Sequence, residues 1–431
     1  MQTVTILGAG PAGLLLAHYL LARQYRVKIY ERRPDPLAST PDSFSLRTFP
    51  MTLQQRGLKA IGEIPGLEAT ITAKGTFSYG TLLHRRRGQP RYISRKLPLL
   101  MINRRQIVQI LLAQLLERYD SDRVNVRFDC VCSNLDLENQ KLTFLPSQEQ
   151  EGSEFTVHYD RLVAADGARS QIRSALEEQA GLQCEQTVIP DVYKSVAMPR
   201  VNKALDIELA PDCIHGWRLG LGSRLLLVPQ PGDSLQGTLI FQPGQDPLEN
   251  LSTGEAVLSF FQQKCPPVGQ LMSPETAEDL LKRPSSKILS VQCDRMHAGD
   301  RIAMIGDAVH AVSPSIGQGC NAALQDAKAF ADCLEEYKDD WEQALPAFTA
   351  RRLPEAHALR SLSDYSFPRS KPMILEFVIR ALFGKKLGRW LPTPASPMPL
   401  TLVMDTELSY TEVLQRCQGW VNRVRRSMPS G

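Results

Sequence analysis

A chain of 431 residues is too long for one small core, so two or three domains are expected. Hydrophobic residues make up 43% and charged residues 22%, and a net charge of +4 is spread over many charges of both signs; this is the composition of a soluble globular protein and argues against a nucleic-acid partner. Nine cysteines at irregular spacing, with Cys130 and Cys132 as the close pair and no matching Cys/His cluster after them, read as reduced thiols in a cytoplasmic protein and not as a metal site.

Val4 to Leu7 is a short apolar run, Gly8-Ala9-Gly10-Pro11-Ala12-Gly13 follows at once, Leu14 to Ala22 continues as an apolar helix, and Val27 to Tyr30 closes on Glu31. This strand, glycine turn, helix and second strand read as a dinucleotide site. Gly8 permits the tight turn, Gly10 lets backbone approach a pyrophosphate, and Gly13 lets the helix pack close to the strand. The helix N-terminus offers free N–H groups and partial positive charge to the pyrophosphate, and an acid about 20 residues on, here Glu31, accepts from a ribose. Because Gly and Pro break the apolar run, it is a fold element and not a signal peptide.

Further along, residues 52–62 and 104–118 read as helices, and the stretch between them, dense in Arg, Gly and aromatics, suits strands and loops. Asp160 to Ala165 is a buried strand that runs into Asp166-Gly167-Ala168-Arg169-Ser170-Gln171-Ile172-Arg173. From about 185 to 290 short alternating runs separated by Pro- and Gly-rich turns predict an antiparallel or mixed sheet, with 251–264 helical inside it. A strand returns at 301–306, Gln318 to Lys338 reads as a helix, and 343–431 is mostly helical with proline breaks near 392–399. No stretch reaches the roughly 18–20 uninterrupted apolar residues that span a bilayer. Met373 to Leu391 comes nearest, interrupted by Glu376, Arg380, Lys385, Lys386 and Arg389. It reads first as an amphipathic helix packed on the body and second as a basic helix in peripheral contact with a membrane.

A third motif, Gly306-Asp307-Ala308-Val309-His310 followed by Pro314-Ser315-Ile316-Gly317-Gln318-Gly319-Cys320-Asn321, sits where a strand ends and a helix begins. A carboxylate such as Asp307 can hold a ribityl hydroxyl there, and the helix N-terminus after Gly317 and Gly319 can face the electron-rich end of a flavin and stabilise its reduced anion. Taken in this order and spacing, the three motifs resemble those of the FAD-dependent aromatic hydroxylases, the single-component class A flavoprotein monooxygenases.

That resemblance implies an α/β chain with a Rossmann-like FAD-binding domain (the GR2-type flavoprotein hydroxylase fold), a mixed or antiparallel-sheet substrate domain and a C-terminal helical region. The FAD-binding domain would take 1–184 and 293–342, the substrate domain 185–292, and the helical region over the active site 343–431. By the same resemblance Gly8, Gly10, Gly13 and Glu31 bind the ADP half of FAD, and Arg104 lies near the FAD phosphates. Asp166 and Arg173 belong to an element implicated in both FAD and nicotinamide binding, Asp307 is the ribityl contact, and Pro314, Gly317, Gly319 and Asn321 form the loop beside the isoalloxazine ring. NAD(P)H docks transiently, without a second fingerprint, and reduces FAD. Dioxygen then adds to the reduced flavin, and the C4a-hydroperoxide delivers one oxygen atom to the substrate. No protein nucleophile is needed, and His310 is read as supporting its loop. The kynurenine 3-monooxygenase branch is the most similar, through the third motif, Tyr193-Lys194, Ile214-His215-Gly216-Trp217 and the C-terminal Pro399-Leu400 and Tyr410-Thr411-Glu412-Val413. The membrane-anchoring tail of eukaryotic members is expected to be absent from a chain ending at Gly431.

The chain departs from that branch where the amino-acid end of kynurenine is held by an arginine, tyrosines and an asparagine. The arginine falls near Gly80-Thr81, upstream of His84; Tyr92 stands for one tyrosine; the asparagine falls at Ser366 and the second tyrosine at Thr401. With His215, these residues (Thr81, Tyr92, Ser366 and Thr401) are the candidate substrate pocket. A lost Arg–carboxylate contact forfeits about 1.5–3 kcal/mol, so the expected substrate is a small, aromatic one without a free amino-acid carboxylate. The alternative is that Arg85, Arg86 or Arg87 replaces the clamp. Two rival functions keep FAD without oxygen transfer: a reductase or dehydrogenase of a lipophilic compound, and a non-catalytic FAD-binding scaffold.

Overall fold

In the computed structural model the described residues are 1–38, 50–86, 88–146, 153–220, 222–368, 370–387 and 398–427. The first strand, β1 (Thr3–Leu7), lies inside a six-stranded sheet. It pairs in parallel with β2 (Arg26–Tyr30) on one side and with Arg161–Ala164 on the other, and the latter pairs in parallel with Ile302–Met304. Val4, Ile6 and Leu7 are almost fully buried, as expected for a parallel strand covered on both faces. Between β1 and β2, α1 (Pro11–Ala22) buries nearly its whole length, which is why its apolar residues show no helical stripe.

A second, eight-stranded sheet has the spatial order Ser286–Cys293, Cys184–Pro199, Ser234–Phe241, Arg224–Gln230, Cys213–Arg218, then β4 (Thr76–His84), β5 (Arg91–Asn103) and β3 (Pro50–Leu53). Its neighbours are antiparallel except for Cys213–Arg218 beside β4, which makes the sheet mixed. It therefore draws strands from before residue 184 as well as from 185–292. The helices Gly254–Lys264, Pro266–Leu271 and Pro274–Lys282 cover one face, where Val257, Phe261 and Leu280 pack on Trp217, Leu225, Leu227, Leu235 and Leu239. The chain order also gives α2 (Gln55–Gly62), α3 (Leu67–Ala73) and α4 (Arg104–Arg118), the first and last of which match the expected helices within a few residues.

A three-stranded sheet, Cys130–Asp136, Lys141–Pro146 and Phe155–His158, has no counterpart in the sequence reading. Its polar alternation hides it, and it is anchored by Phe144 stacking on Tyr30 at 4.5 Å. At the C-terminal end, the helices Trp341–Tyr365, Pro399–Asp405 and Tyr410–Arg426 enclose a separate core around Leu359, Leu362, Val413 and Trp420. A reciprocal cap, Ser409 with Glu412, opens the last helix. Most of the proline-rich stretch 392–399 lies outside the described residues. Among the described residues no helix is long and apolar enough to cross a membrane. The helix Lys371–Leu387 leaves Leu375, Val378 and Ile379 exposed, and the rest of the 373–391 segment lies outside the described residues.

One expectation is corrected here. Not all nine cysteines are thiols: Cys184 and Cys293 form a disulfide, and the other seven are free. The two residues are 109 apart in sequence, but Cys184–Pro199 and Ser286–Cys293 pair antiparallel with these cysteines directly opposite, Cα atoms 4.1 Å apart. Spacing along the chain carries no trace of that register. Closing so long a loop stabilises by about 2–4 kcal/mol, so urea unfolding of the reduced protein, or of Cys184→Ser, is expected to shift to a lower midpoint. Equal midpoints would mean that strand pairing alone holds this junction.

Candidate active site

The glycine turn is held by its own backbone. Gly8 takes φ +104°, donates its N–H to Tyr30 O at 2.8 Å, and packs so tightly under residue 165 that a Cβ would stand 2.3 Å from Ala165 O. A Cβ on Gly13 would stand 2.1 Å from Gly8 O, whereas one on Gly10 would meet nothing within 4 Å. The turn is thus closed on the protein side and open at Gly10. Glu31 accepts from Ala9 N of the turn at 2.8 Å and from Arg33 N at 3.0 Å, which fixes its carboxylate at the end of β2 beside the loop. No side chain caps the N-terminus of α1, leaving its first amides for a ligand.

The Asp166 element follows the neighbouring strand. Asp166 Oδ2 accepts from Gln171 N at 2.8 Å, and Oδ1 is buried with no partner among the described residues. Burial pushes this carboxyl above the usual range. An orphaned, buried acceptor next to an open glycine turn fits a ligand that carries hydroxyl donors, as FAD does. Arg173 is differently placed: it is buried, and its guanidinium donates to Ala308 O at 2.8 Å, Ala168 O at 2.9 Å and Gln186 Oε1 at 3.1 Å. These bonds tie the Asp-Gly turn to the 307–310 helix, while Nε is buried with no partner among the described residues.

The third motif closes the site. Asp307 is exposed at the start of the Asp307–His310 helix, and its Oδ1 lies 4.0 Å from where a Cβ on Gly319 would be. Cys320, on the next residue, has its thiol pushed up to about 12, chiefly by burial; Asp307 adds to the rise and Arg104 opposes it, so both charges face this thiol. Arg104, the first residue of α4, also faces Arg33 beside Glu31. Its charge thus acts both on Arg33 beside Glu31 and on the Cys320 thiol beside Asp307. The Gly319–Glu336 helix has no side-chain cap at its N-terminus. Pro314 opens the short turn Pro314–Ile316 ahead of Gly317. Asn321 is buried and consumed by backbone: Oδ1 accepts from Gln54 N at 2.8 Å, and Nδ2 donates to Thr52 O at 2.9 Å and Gly317 O at 3.2 Å. It fastens the loop to β3.

Beneath the loop lies a cluster the sequence reading missed. Asp326, fully buried, accepts from Gly306 N at 2.9 Å, from Arg352 Nε at 2.8 Å and from His310 Nε2 in a short contact. Burial alone would raise the carboxyl, but His310 and Arg352 outweigh it and hold Asp326 below its ordinary value. Burial likewise opposes charge on His310, and Asp326 overrides it to hold the imidazole above its ordinary value. An acid among alanines on the core face of a helix, as at Asp326 between Ala322 and Ala329, was the available signal. The C-terminal region reaches the same loop: Tyr410 OH donates to Gln318 Oε1 at 3.0 Å, while Arg56 donates to Val403 O at 2.8 Å and Leu408 O at 2.6 Å.

The five candidate pocket residues do not converge. Alternation places Thr81 on one face of the eight-stranded sheet, and Leu82, opposite both Tyr92 and His215, on the other. His215 is buried on the helix-covered side, 2.9 Å from His84, which stacks on Trp217 at 4.0 Å. Burial, with His215 adding to it, takes His84 down to about 4. Tyr92 is 52% exposed and spends its hydroxyl on Tyr79 O at 3.2 Å. Ser366 is buried as a helix cap, its hydroxyl on Leu362 O and its carbonyl under Trp420 Nε1. Thr401 is exposed. Arg85 and Arg86 are exposed past the end of β4, and Arg87 lies outside the described residues.

The chain is 28% identical to kynurenine 3-monooxygenase of Caenorhabditis elegans over 437 residues, covering 96% of this chain and 92% of that protein. It is 29% identical to kynurenine 3-monooxygenase of Salinispora tropica, with 97% and 91% covered. Among solved structures, 2-methyl-3-hydroxypyridine-5-carboxylic acid oxygenase in its tetrameric form superposes with a TM-score of 0.69 at 20% identity, covering 92% of this chain and 95% of that one. Pseudomonas aeruginosa PqsL in complex with 2-aminobenzoylacetate superposes with 0.65 at 20% identity, covering 84% and 95%. The family described as FAD binding domain matches residues 1–362, a span that takes in both sheets and every motif around the glycine turn. The chain belongs to this FAD-binding family.

Proposed function

We propose that the chain is a FAD-dependent monooxygenase that uses NAD(P)H and dioxygen to hydroxylate a small aromatic substrate, similar to kynurenine 3-monooxygenase but with an altered substrate pocket. What supports this reading is that Arg104 and Asp307 both act on the Cys320 thiol at the uncapped start of the Gly319–Glu336 helix, and that a Cβ on Gly306 of the same motif would stand 3.6 Å from Ala12 Cβ in the glycine turn. Bound FAD would supply the redox chemistry, taking electrons from NAD(P)H and activating dioxygen. The protein's part is to hold and to shield. The turn at Gly10 and the first amides of α1 take the pyrophosphate, Glu31 the ribose, Arg104 the phosphate charge and Asp307 a ribityl hydroxyl. The amides at Gly319 and Cys320, at the uncapped start of their helix, would offer partial positive charge to the bound cofactor. The C-terminal helices, fastened through Tyr410 and Arg56, cover the site and exclude water.

The altered pocket is supported by Thr81, Ser366 and Thr401, none of which is a charged group and only the first of which faces the open side of the sheet. The test is anaerobic flavin reduction by NADPH with and without L-kynurenine, followed by aerobic turnover with product analysis. Slow reduction that L-kynurenine leaves unchanged is expected, together with one dioxygen consumed per hydroxylated product once a substrate is found. A large acceleration by L-kynurenine would overturn the altered pocket. Substrate oxidised without incorporation of oxygen would overturn the monooxygenase.

A further inference from the structure

We propose that Arg95 is the anion anchor of the substrate pocket, holding a planar carboxylate of an aromatic substrate from the strand beside the one that lacks a basic residue at Thr81. The proposal rests on the monooxygenase reading and deepens it. Three features of the structure converge on this residue.

The first is its direction. β4 and β5 lose register between Ser78, opposite Leu99, and Gly80, opposite Ser94, so that Arg95 to Pro98 bulge against Tyr79. A bulge re-aims the side chains it carries and bends its strand. Arg95 follows Ile93, which is opposite Thr81, by two residues, and its Nη2 donates to Thr81 Oγ1 at 2.8 Å. The guanidinium therefore lies on the face away from the helices 254–282, beside the position where a basic residue was expected.

The second is its unmet hydrogen-bonding capacity. Thr81 is its one acceptor among the described residues, and Nε is buried with no partner. Burial weakens its hold on the proton; Asp405, Cys213 and Tyr92 work in the opposite direction. A half-buried guanidinium with a free Nε–H edge is the donor fork that matches a carboxylate in two parallel hydrogen bonds. Arg352 and Arg56, by contrast, spend both Nε and Nη2 on protein acceptors.

The third is the surrounding surface. Tyr79, Leu83 and Ile93, which share this face with Thr81, are 52%, 39% and 42% exposed, an open apolar surface of the kind that covers an aromatic ring. The bulge also adjoins the flavin loop. Leu97 and Pro98 lie beside Gln54, Arg56 and Met404, and Gln54 N donates to Asn321. The helix Pro399–Asp405 packs on β5, with Lys96 N donating to Asp405 at 3.2 Å, so the C-terminal region meets this face at the bulge.

The test is equilibrium binding to the FAD-loaded full-length protein, followed by perturbation of the flavin absorbance. The probes are 2-aminobenzoate and its neutral partner 2-aminobenzamide. Wild type is expected to prefer the acid. Arg95→Met is expected to weaken acid binding about 10- to 100-fold, the loss of one charge-assisted fork, and to leave amide binding and the unliganded flavin spectrum unchanged. Arg95→Lys, which keeps the charge without the fork, should recover part of the loss. Arg85→Met and Arg86→Met, the exposed rivals, should leave acid binding as in wild type. Equal binding of acid and amide by wild type, no perturbation by the acid, or equal acid binding by Arg95→Met would each overturn the anchor. None of these outcomes bears on whether oxygen is transferred, which the turnover experiment reads separately.

Discussion

Gly10→Val is expected to give a folded protein that purifies without flavin. In the protein itself nothing lies within 4 Å of a Cβ at residue 10, so the side chain costs the fold little. It occupies the space through which backbone approaches a pyrophosphate, and FAD affinity should fall on the order of a hundredfold, about 2.8 kcal/mol. The visible absorbance of the purified protein reads the first effect, and thermal unfolding of the apoproteins reads the second. Gly13→Ala should behave in the opposite way. Its Cβ would stand 2.1 Å from Gly8 O and 3.2 Å from Ala165 Cβ, so backbone must move, and the apoprotein should lose about 1–3 kcal/mol or more. A flavin-replete Gly10→Val protein would remove the dinucleotide reading of this turn.

Asp326→Asn is expected to be the most destabilising single change near the site. It leaves His310 and Arg352 as buried cations without their shared carboxylate and weakens the acceptor for Gly306 N. Breaking a buried pair in this way costs about 3–5 kcal/mol, read as a lower urea midpoint. The loss should depend on pH with a defined sign. His310 is held above its ordinary value, so its contribution is full below the unfolded imidazole value and disappears as pH rises through the folded one. Asp326 is held below its ordinary value, so its contribution is present above the unfolded carboxylate value and disappears as pH falls through the folded one. The gap between wild type and variant should therefore be widest between about pH 4 and 6.5, the two unfolded values, and narrow on either side. A gap independent of pH would mean that the three groups act through packing and not through charge.

Much of the fold was legible because its signals are local. Gly8 to Gly13 between two apolar strands, the helix 104–118, and Asp166 after a strand are each decided within a few residues, and the structure has the corresponding elements. What the sequence did not carry is what strand register and helix packing decide. The face on which Thr81 and His215 point depends on which residues of β4 and Cys213–Arg218 are opposite each other, and a single residue of register reverses it. The bulge that turns Arg95 toward Thr81 is likewise visible only once two strands are paired. Asn321 and the two Nη groups of Arg173 look like ligand contacts in a motif, yet they are engaged by Thr52, Gly317, Ala308 and Ala168, all distant or unremarkable in sequence. Asp326 and Arg352 became a unit only when two helices packed together.

The Cys184–Cys293 bridge has a bearing on how such a chain can change. It crosses the neck where the chain leaves for the second sheet and where it returns, so the whole excursion from 184 to 293 begins and ends at one point, as an inserted module does. A module with coincident ends can be exchanged without lengthening or rerouting the flavin half. One condition limits the exchange: any replacement must offer a strand that lies parallel to β4, as Cys213–Arg218 does, because β4, β5 and the Arg95 bulge stay behind with the host. New substrates can thus be sampled by grafting one wall of the pocket against a retained anchor on the other.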